Sequence, residues 1–138
     1  MWKMHPAYFE TRFRHSGDHV VWPQSFAIIT AYATTGECWT DAENQTADIK
    51  LRRELDEIHT WMHRITGYSP STGHAEPGWA VEMSFDMVCD TGLRYHQDAI
   101  FVVDRDQLFV SFCDERRRKI AVDRFTTRLD RRPDTHFT

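Results

Sequence analysis

The run FAIITAY, Phe26 to Tyr32, is apolar on both faces of its alternation. Phe26, Ile28, Thr30 and Tyr32 are expected to point one way, and Ala27, Ile29 and Ala31 the other. A strand of that kind needs cover on both sides, which places it in the middle of a sheet. The next segment narrows the choice further. After the loop TTGECW, Thr40 and Glu43 form an S/T-x-x-E capping box, in which each side chain satisfies the other's backbone N–H. Ala47, Leu51, Leu55, Ile58 and Met62 then recur at spacings of three and four, which predicts a helix from about Asp41 to Met62. Asn44 precedes Leu51 by two helical turns, so it falls on the inward stripe in the first turn.

The remaining segments alternate in the same manner. AYFETRFR (Ala7 to Arg14) reads as a strand, HSGD as a turn, and HVVW as its hairpin partner, ended by Pro23. RITGYS is a short strand, PSTGHAEPG a turn-rich loop, and WAVEM a strand with Trp79, Val81 and Met83 on one face. SFDMVCDTGLRYHQ reads as a second, shorter helix. Gly92 weakens it by about 1 kcal/mol relative to Ala, a cost explained if helix and sheet must approach closely. AIFVV, DRDQ and LFVSF form a hairpin. A hairpin followed by β-α-β, β-α-β and β implies an α+β two-layer sandwich. Its expected form is a ferredoxin-like plait extended by extra strands, with a mostly antiparallel sheet and helices on one face. The 138 residues suit a single domain, 1–138. Its core is expected over about 7–113, with 114–138 a charged C-terminal extension.

Composition excludes several functions. The net charge of −4 argues against a nucleic-acid binder acting by bulk charge. No apolar run approaches the roughly 18 residues that span a bilayer. The start MWKMHPAYFETRF has no apolar signal core, so a cytoplasmic setting is expected. Cys38, Cys89 and Cys113 are odd in number and lack C-x-x-C spacing, which suits reduced thiols better than a disulfide frame or a zinc site. No Walker loop, G-x-G-x-x-G or nucleophile elbow is present, and no cofactor or metal is expected.

FAIITAY, DAEN at a helix start, GHAEPGWAV and YHQDAIFVV together resemble a small bacterial family, domain of unknown function 3293. The likeness covers roughly Tyr8 to Phe112, and its most specific pieces are ITAY, Asn44, Glu76 and QDAIF. The family's strand usually continues Tyr-Asn-Pro, whereas this chain reads Tyr32-Ala33-Thr34. The resemblance implies a cytoplasmic bacterial protein and carries no activity with it.

Six residues are candidates for a ligand site. Thr30 and Tyr32 end the central strand, and Asn44 starts the helix after it. In α/β units ligands favour that junction, and a helix N-terminus attracts anions. The alternative for Asn44 is a bond to the loop backbone that fixes the turn. His74 and Glu76 sit in a Gly-containing loop and suit acid–base chemistry; the alternative is an exposed loop in which Glu76 holds the turn before Pro77. Gln97 stands where the second helix gives way to a strand, able to bond a ligand or to cap the helix, and Asp98 suits a bend. His59 and His63 have metal-ligand spacing on the expected helix, but a solvated helix flank accounts for them better. Arg116, Arg117, Arg118 and Lys119 form a basic run able to meet phosphate, although such runs usually face solvent. The expected function is binding of a small polar or anionic, nucleotide-like ligand, with or without catalysis. The alternative is an RNA- or protein-contacting module using the sheet or the basic run.

Overall fold

The structure, a computed structural model, describes residues 4–17, 19–33 and 39–130. The elements run α1 (Ala7–Glu10), β1 (Arg12–Arg14), β2 (Ser25–Ile29), α2 (Asp41–Asp56), β3 (Met62–Tyr68), β4 (Ala75–Val81), α3 (Phe85–Arg94), β5 (Ala99–Asp104), β6 (Gln107–Phe112), β7 (Ile120–Arg124) and α4 (Phe125–Arg128). The seven strands form one sheet in the order β1-β3-β4-β2-β5-β6-β7, and every neighbouring pair is antiparallel. Strands β3-β4-β2-β5 with α2 and α3 are a ferredoxin-like plait. Each β-α-β unit steps over one strand, as a split βαβ requires. β1 extends one edge of it, and the β6–β7 pair extends the other.

β2 occupies the centre of the sheet, as its two apolar faces demand. Ala27, Ile29 and Ala31 join Leu51, Leu55, Val88 and Cys89 beneath α2 and α3. Phe26 and Ile28 join Phe13, Ile65, Phe101 and Phe125 on the opposite face. The capping box of α2 is complete: Glu43 N–H donates to Thr40 Oγ1 (3.1 Å), and Thr40 N–H to Glu43 Oε1 (2.9 Å). Gly92 sits where α3 meets the sheet. A Cβ built on it lies 2.5 Å from Cys113 Sγ, so the close approach needs glycine.

Four expectations change. α2 stops at Asp56 rather than Met62, because the backbone turns left-handed at His59 (φ 58°) and Met62 opens β3. Ile58 and Met62 still pack on the α2 side, which is why they prolonged the helical spacing. His59 and His63 therefore share no helix face. His63 lies on β3 with Nε2 3.3 Å from His15 Nδ1, among Trp22 and Trp61. Second, Ala7–Glu10 is a helical turn opened by Pro6, whose fixed φ suits that place, and only Arg12–Arg14 is strand. β1 pairs with β3, and HVVW forms no strand; Trp22 instead stacks on Phe26 at 5.5 Å.

Third, packing continues past residue 113. β7 pairs with β6, Phe125 is buried in the core, and Leu129 bridges to Phe13. Asp130 N–H donates to Phe13 O, and the Asp130 carboxylate takes Arg12 and the Tyr68 hydroxyl. Charge hid this segment because one side of an edge strand faces water. These contacts curl the sheet until its first strand meets the chain beyond its last. Fourth, only α2 and α3 cover the convex face; α1 and α4 lie on the concave one, through Tyr8 and Phe125. Among the described residues no helix is long and apolar enough to cross a membrane.

Candidate functional site

The concave face is not filled. Between α1 and strands β2 to β5 lies a cavity of about 120 Å³. Phe13, Ile28, Ile65 and Phe101 make its apolar floor. Two glycines on that face, Gly67 and Gly78, are part of its lining. Gly78 has no alternative, since a Cβ there would lie 2.5 Å from Ile29 O.

Strand alternation delivers the polar groups. Thr30 continues the Phe26–Ile28 face of β2. Its hydroxyl donates to Pro77 O (2.8 Å) and accepts Tyr32 N–H (3.2 Å). Glu76 is on β4, on the same face as Ala80, opposite Gly67. His74 closes the β3–β4 turn, where Ser69 N–H donates to His74 O and Gly73 takes a positive φ of 77°. His74 Nε2 and Glu76 Oε2 are 2.8 Å apart, with His74 largely in solvent and the Glu76 side chain only 23% exposed. Burial pushes the Glu76 carboxyl above its ordinary pKa, and His74 pulls it partly back.

Gln97 reaches the cavity through the way α3 ends. Tyr95 caps the helix, His96 adopts the left-handed conformation (φ 59°), and Gln97 N–H returns to Gly92 O (2.8 Å). With His96 N–H on Leu93 O this is a Schellman motif, closed without glycine. The Gln97 amide nitrogen then donates to Tyr32 O (2.8 Å) and Tyr95 O (3.2 Å). Tyr8 enters from α1, its ring tilted against Phe101 at 6.1 Å. Its phenol pKa is raised, first by burial and then by the charges of Asp98 and Glu76.

Four of the six expected residues, Thr30, His74, Glu76 and Gln97, thus line one cavity. Tyr32 and Asn44 do not. Strand β2 ends at Ile29, so the alternation fails before Tyr32. Its phenol pKa is raised by burial and by Asp48 of α2, and Tyr32 is not among the residues that line the cavity. Asn44 Oδ1 accepts Ala33 N–H at 2.9 Å, the turn-fixing role. No residue of α2 lines the cavity. Tyr8, Thr11, Tyr68 and Ser69 also line it and were missed; Pro6 ahead of Ala7 was the available sign that this stretch opens as a helical turn.

A family model described as "Protein of unknown function (DUF3293)" matches residues 29–100. The chain belongs to this family. The DUF3293 match runs from the end of β2 to the start of β5 and contains Thr30, Asn44, His74, Glu76 and Gln97, while Tyr8 lies outside it. Comparison with curated proteins and with solved structures returns no match.

Two members of the basic run in this DUF3293 chain are paired within the fold. Arg116 is held by Asp114, Arg117 by Asp90 and Asp86, and Lys119 lies over the Phe85 ring. Among the described residues no group of three or more His, Cys, Asp or Glu side chains is placed to hold a metal ion. Cys89 and Cys113 are buried thiols; burial pushes their pKa values to about 11 and about 12, so neither is a ready nucleophile. Cys38 lies outside the described residues.

Proposed function

We propose that this domain binds a small, largely apolar molecule with one polar head in the cavity between α1 and the concave sheet. The observation that carries the reading is the combination of an unfilled apolar floor with a half-buried carboxyl at its edge. Unfilled volume and a carboxylate drawn largely out of water both cost stability, and a domain of this size has no structural need of either. Cavities near 150 Å³ hold a benzene-sized ring, so about 120 Å³ suits a compact ligand and not a whole nucleotide. The nucleotide-like expectation rested on the α2 N-terminus, which faces elsewhere. The interaction-module alternative loses support because Arg116 and Arg117 are committed to neighbouring aspartates.

Thermal-shift screening with ring compounds of six to nine heavy atoms, alongside nucleotides and sugar phosphates, tests this. At a hundred times Kd a bound compound stabilises by about 2.7 kcal/mol. The gain is expected for compact rings and lost in Ala99→Leu, which fills the cavity from β5. Stabilisation by nucleotides alone, or a gain indifferent to Ala99→Leu, refutes it. RNA retention lost with Arg118→Ala supports the alternative.

A further inference from the structure

The polar groups of the cavity are nearly all acceptors, and we infer from this that its ligand is a small primary amine, held by Gln97 Oε1 and the Glu76 carboxylate. The inference rests on the proposal that the cavity takes a small ligand, and adds its chemical class.

The donors have been spent on the protein itself. The Thr11 hydroxyl donates to Ala7 O, Thr30 to Pro77 O, Ser69 to Glu10, and Tyr68 to Asp130. Each hydroxyl has one proton to give, so what these residues can still offer is lone pairs. Gln97 is in the same position. Both partners of its amide nitrogen are backbone carbonyls, which dictates which end is nitrogen. Its oxygen has no hydrogen-bond partner among the described residues. Gln97 is only 7% exposed, yet no buried side-chain N or O among the described residues is unpaired. The oxygen therefore borders open space, and the cavity is the space this residue lines.

Glu76 repeats the pattern. His74 reaches Oε2 from the solvent side, and Oε1 has no partner among the described residues. Among the described residues no Lys or Arg lines the cavity. An anion would meet a carboxylate and bare oxygens, with His74, the one basic side chain among the described lining residues, already turned to Glu76. An alcohol would satisfy one acceptor with its single proton. An ammonium brings three donors and a positive charge to the carboxylate, and the aromatic walls of Phe13, Phe101 and Tyr8 favour a cation as well. The Tyr8 hydroxyl accepts or donates as required. The apolar floor fixes the rest of the ligand as a short hydrocarbon or aryl body.

The test is calorimetric titration of the full chain with benzylamine, benzyl alcohol and benzoate at neutral pH, for wild type, Glu76→Gln and Ala99→Leu. Benzylamine is expected to bind about tenfold or more tighter than benzyl alcohol, the factor one charge-assisted hydrogen bond supplies. Benzoate is expected not to bind. Glu76→Gln, shown folded by its melting transition, is expected to abolish most of the preference for the amine. Ala99→Leu is expected to abolish binding of both. Equal affinity for amine and alcohol, tighter binding of benzoate, or an amine preference that survives Glu76→Gln overturns the amine assignment while leaving the cavity reading intact. Absence of binding by all three, or binding unaffected by Ala99→Leu, overturns both.

Discussion

Gly92→Ala sets two effects of known size against each other. A methyl group there lies 2.5 Å from Cys113 Sγ and 3.2 Å from Ile100 Cγ2. In an open helix the change stabilises by about 1 kcal/mol, since glycine is the poorer helix former. Here the neighbours cannot retreat: Cys113 is fully buried, and Ile100 belongs to central strand β5. Overpacking of this kind costs about 1–3 kcal/mol, so the net loss should be about 1 kcal/mol and at most about 2. Cys113→Ala alone leaves a void and should cost about 1–2 kcal/mol. In the double variant the new methyl occupies the space the sulfur left. The two losses should then fail to add, with a favourable interaction of about 1–2 kcal/mol, above the roughly 0.5 kcal/mol scatter of independent sites. Urea unfolding of the four proteins measures this directly. Additive losses, or a Gly92→Ala protein more stable than its parent, would show that the approach of α3 to the sheet is not what requires glycine.

Three further outcomes are expected. Asn44→Ala removes the acceptor of Ala33 N–H and should cost about 1–2 kcal/mol, whereas Asn44→Asp keeps an acceptor at a helix start and should retain most of it; equal losses in denaturant would rule out the turn-fixing bond. Glu76 has a raised pKa, so the native state holds its proton where the unfolded chain has released it, and stability falls as pH rises through the folded value. Glu76→Gln should therefore melt higher than wild type at neutral pH, with the difference disappearing below the ordinary carboxyl range; a lower melting point at neutral pH would mean the His74 pairing outweighs burial. Gly78→Ala puts a methyl 2.5 Å from the backbone oxygen of Ile29 and should abolish soluble expression, while Gly67→Ala meets only Phe13 and Thr11 side-chain atoms at 3.5 Å and should fold.

Where local chemistry and tertiary packing agree, the sequence was readable. The capping box at Thr40, the doubly apolar β2 and the Asp104–Gln107 turn each carry their own signal, and together they establish the plait. Reading failed where a tertiary contact overrode the pattern. Ile58 and Met62 kept helical spacing across a chain reversal at His59, because both turn to the same core. Ile120 and Val122 alternate weakly among charges, and pairing with β6 made a strand of them. For the site, Thr30 followed from strand alternation, Glu76 from a polar loop whose last residues the structure makes part of β4, and Gln97 from its place after α3. Tyr8 was invisible because it was assigned to a strand. The cavity itself had no sequence signature, since its lining is gathered from α1 and strands β1 to β5.

The seal between Phe13 and the chain around Leu129 has a consequence for the order of folding. Arg12 and Asp130, which clasp across it, are 118 positions apart. Contacts of such separation form late, after local and mid-range pairs have shortened the loop that must close. The plait from β2 to β5 can assemble while residues beyond 124 are still being synthesised, but at that stage the strand carrying Phe13 has no partner on its outer edge. The concave face is then a groove without a finished end. Only the arrival of Leu129 and Asp130 closes that end, so a chain halted shortly before Leu129 should have its secondary structure largely in place and its interior still open to water.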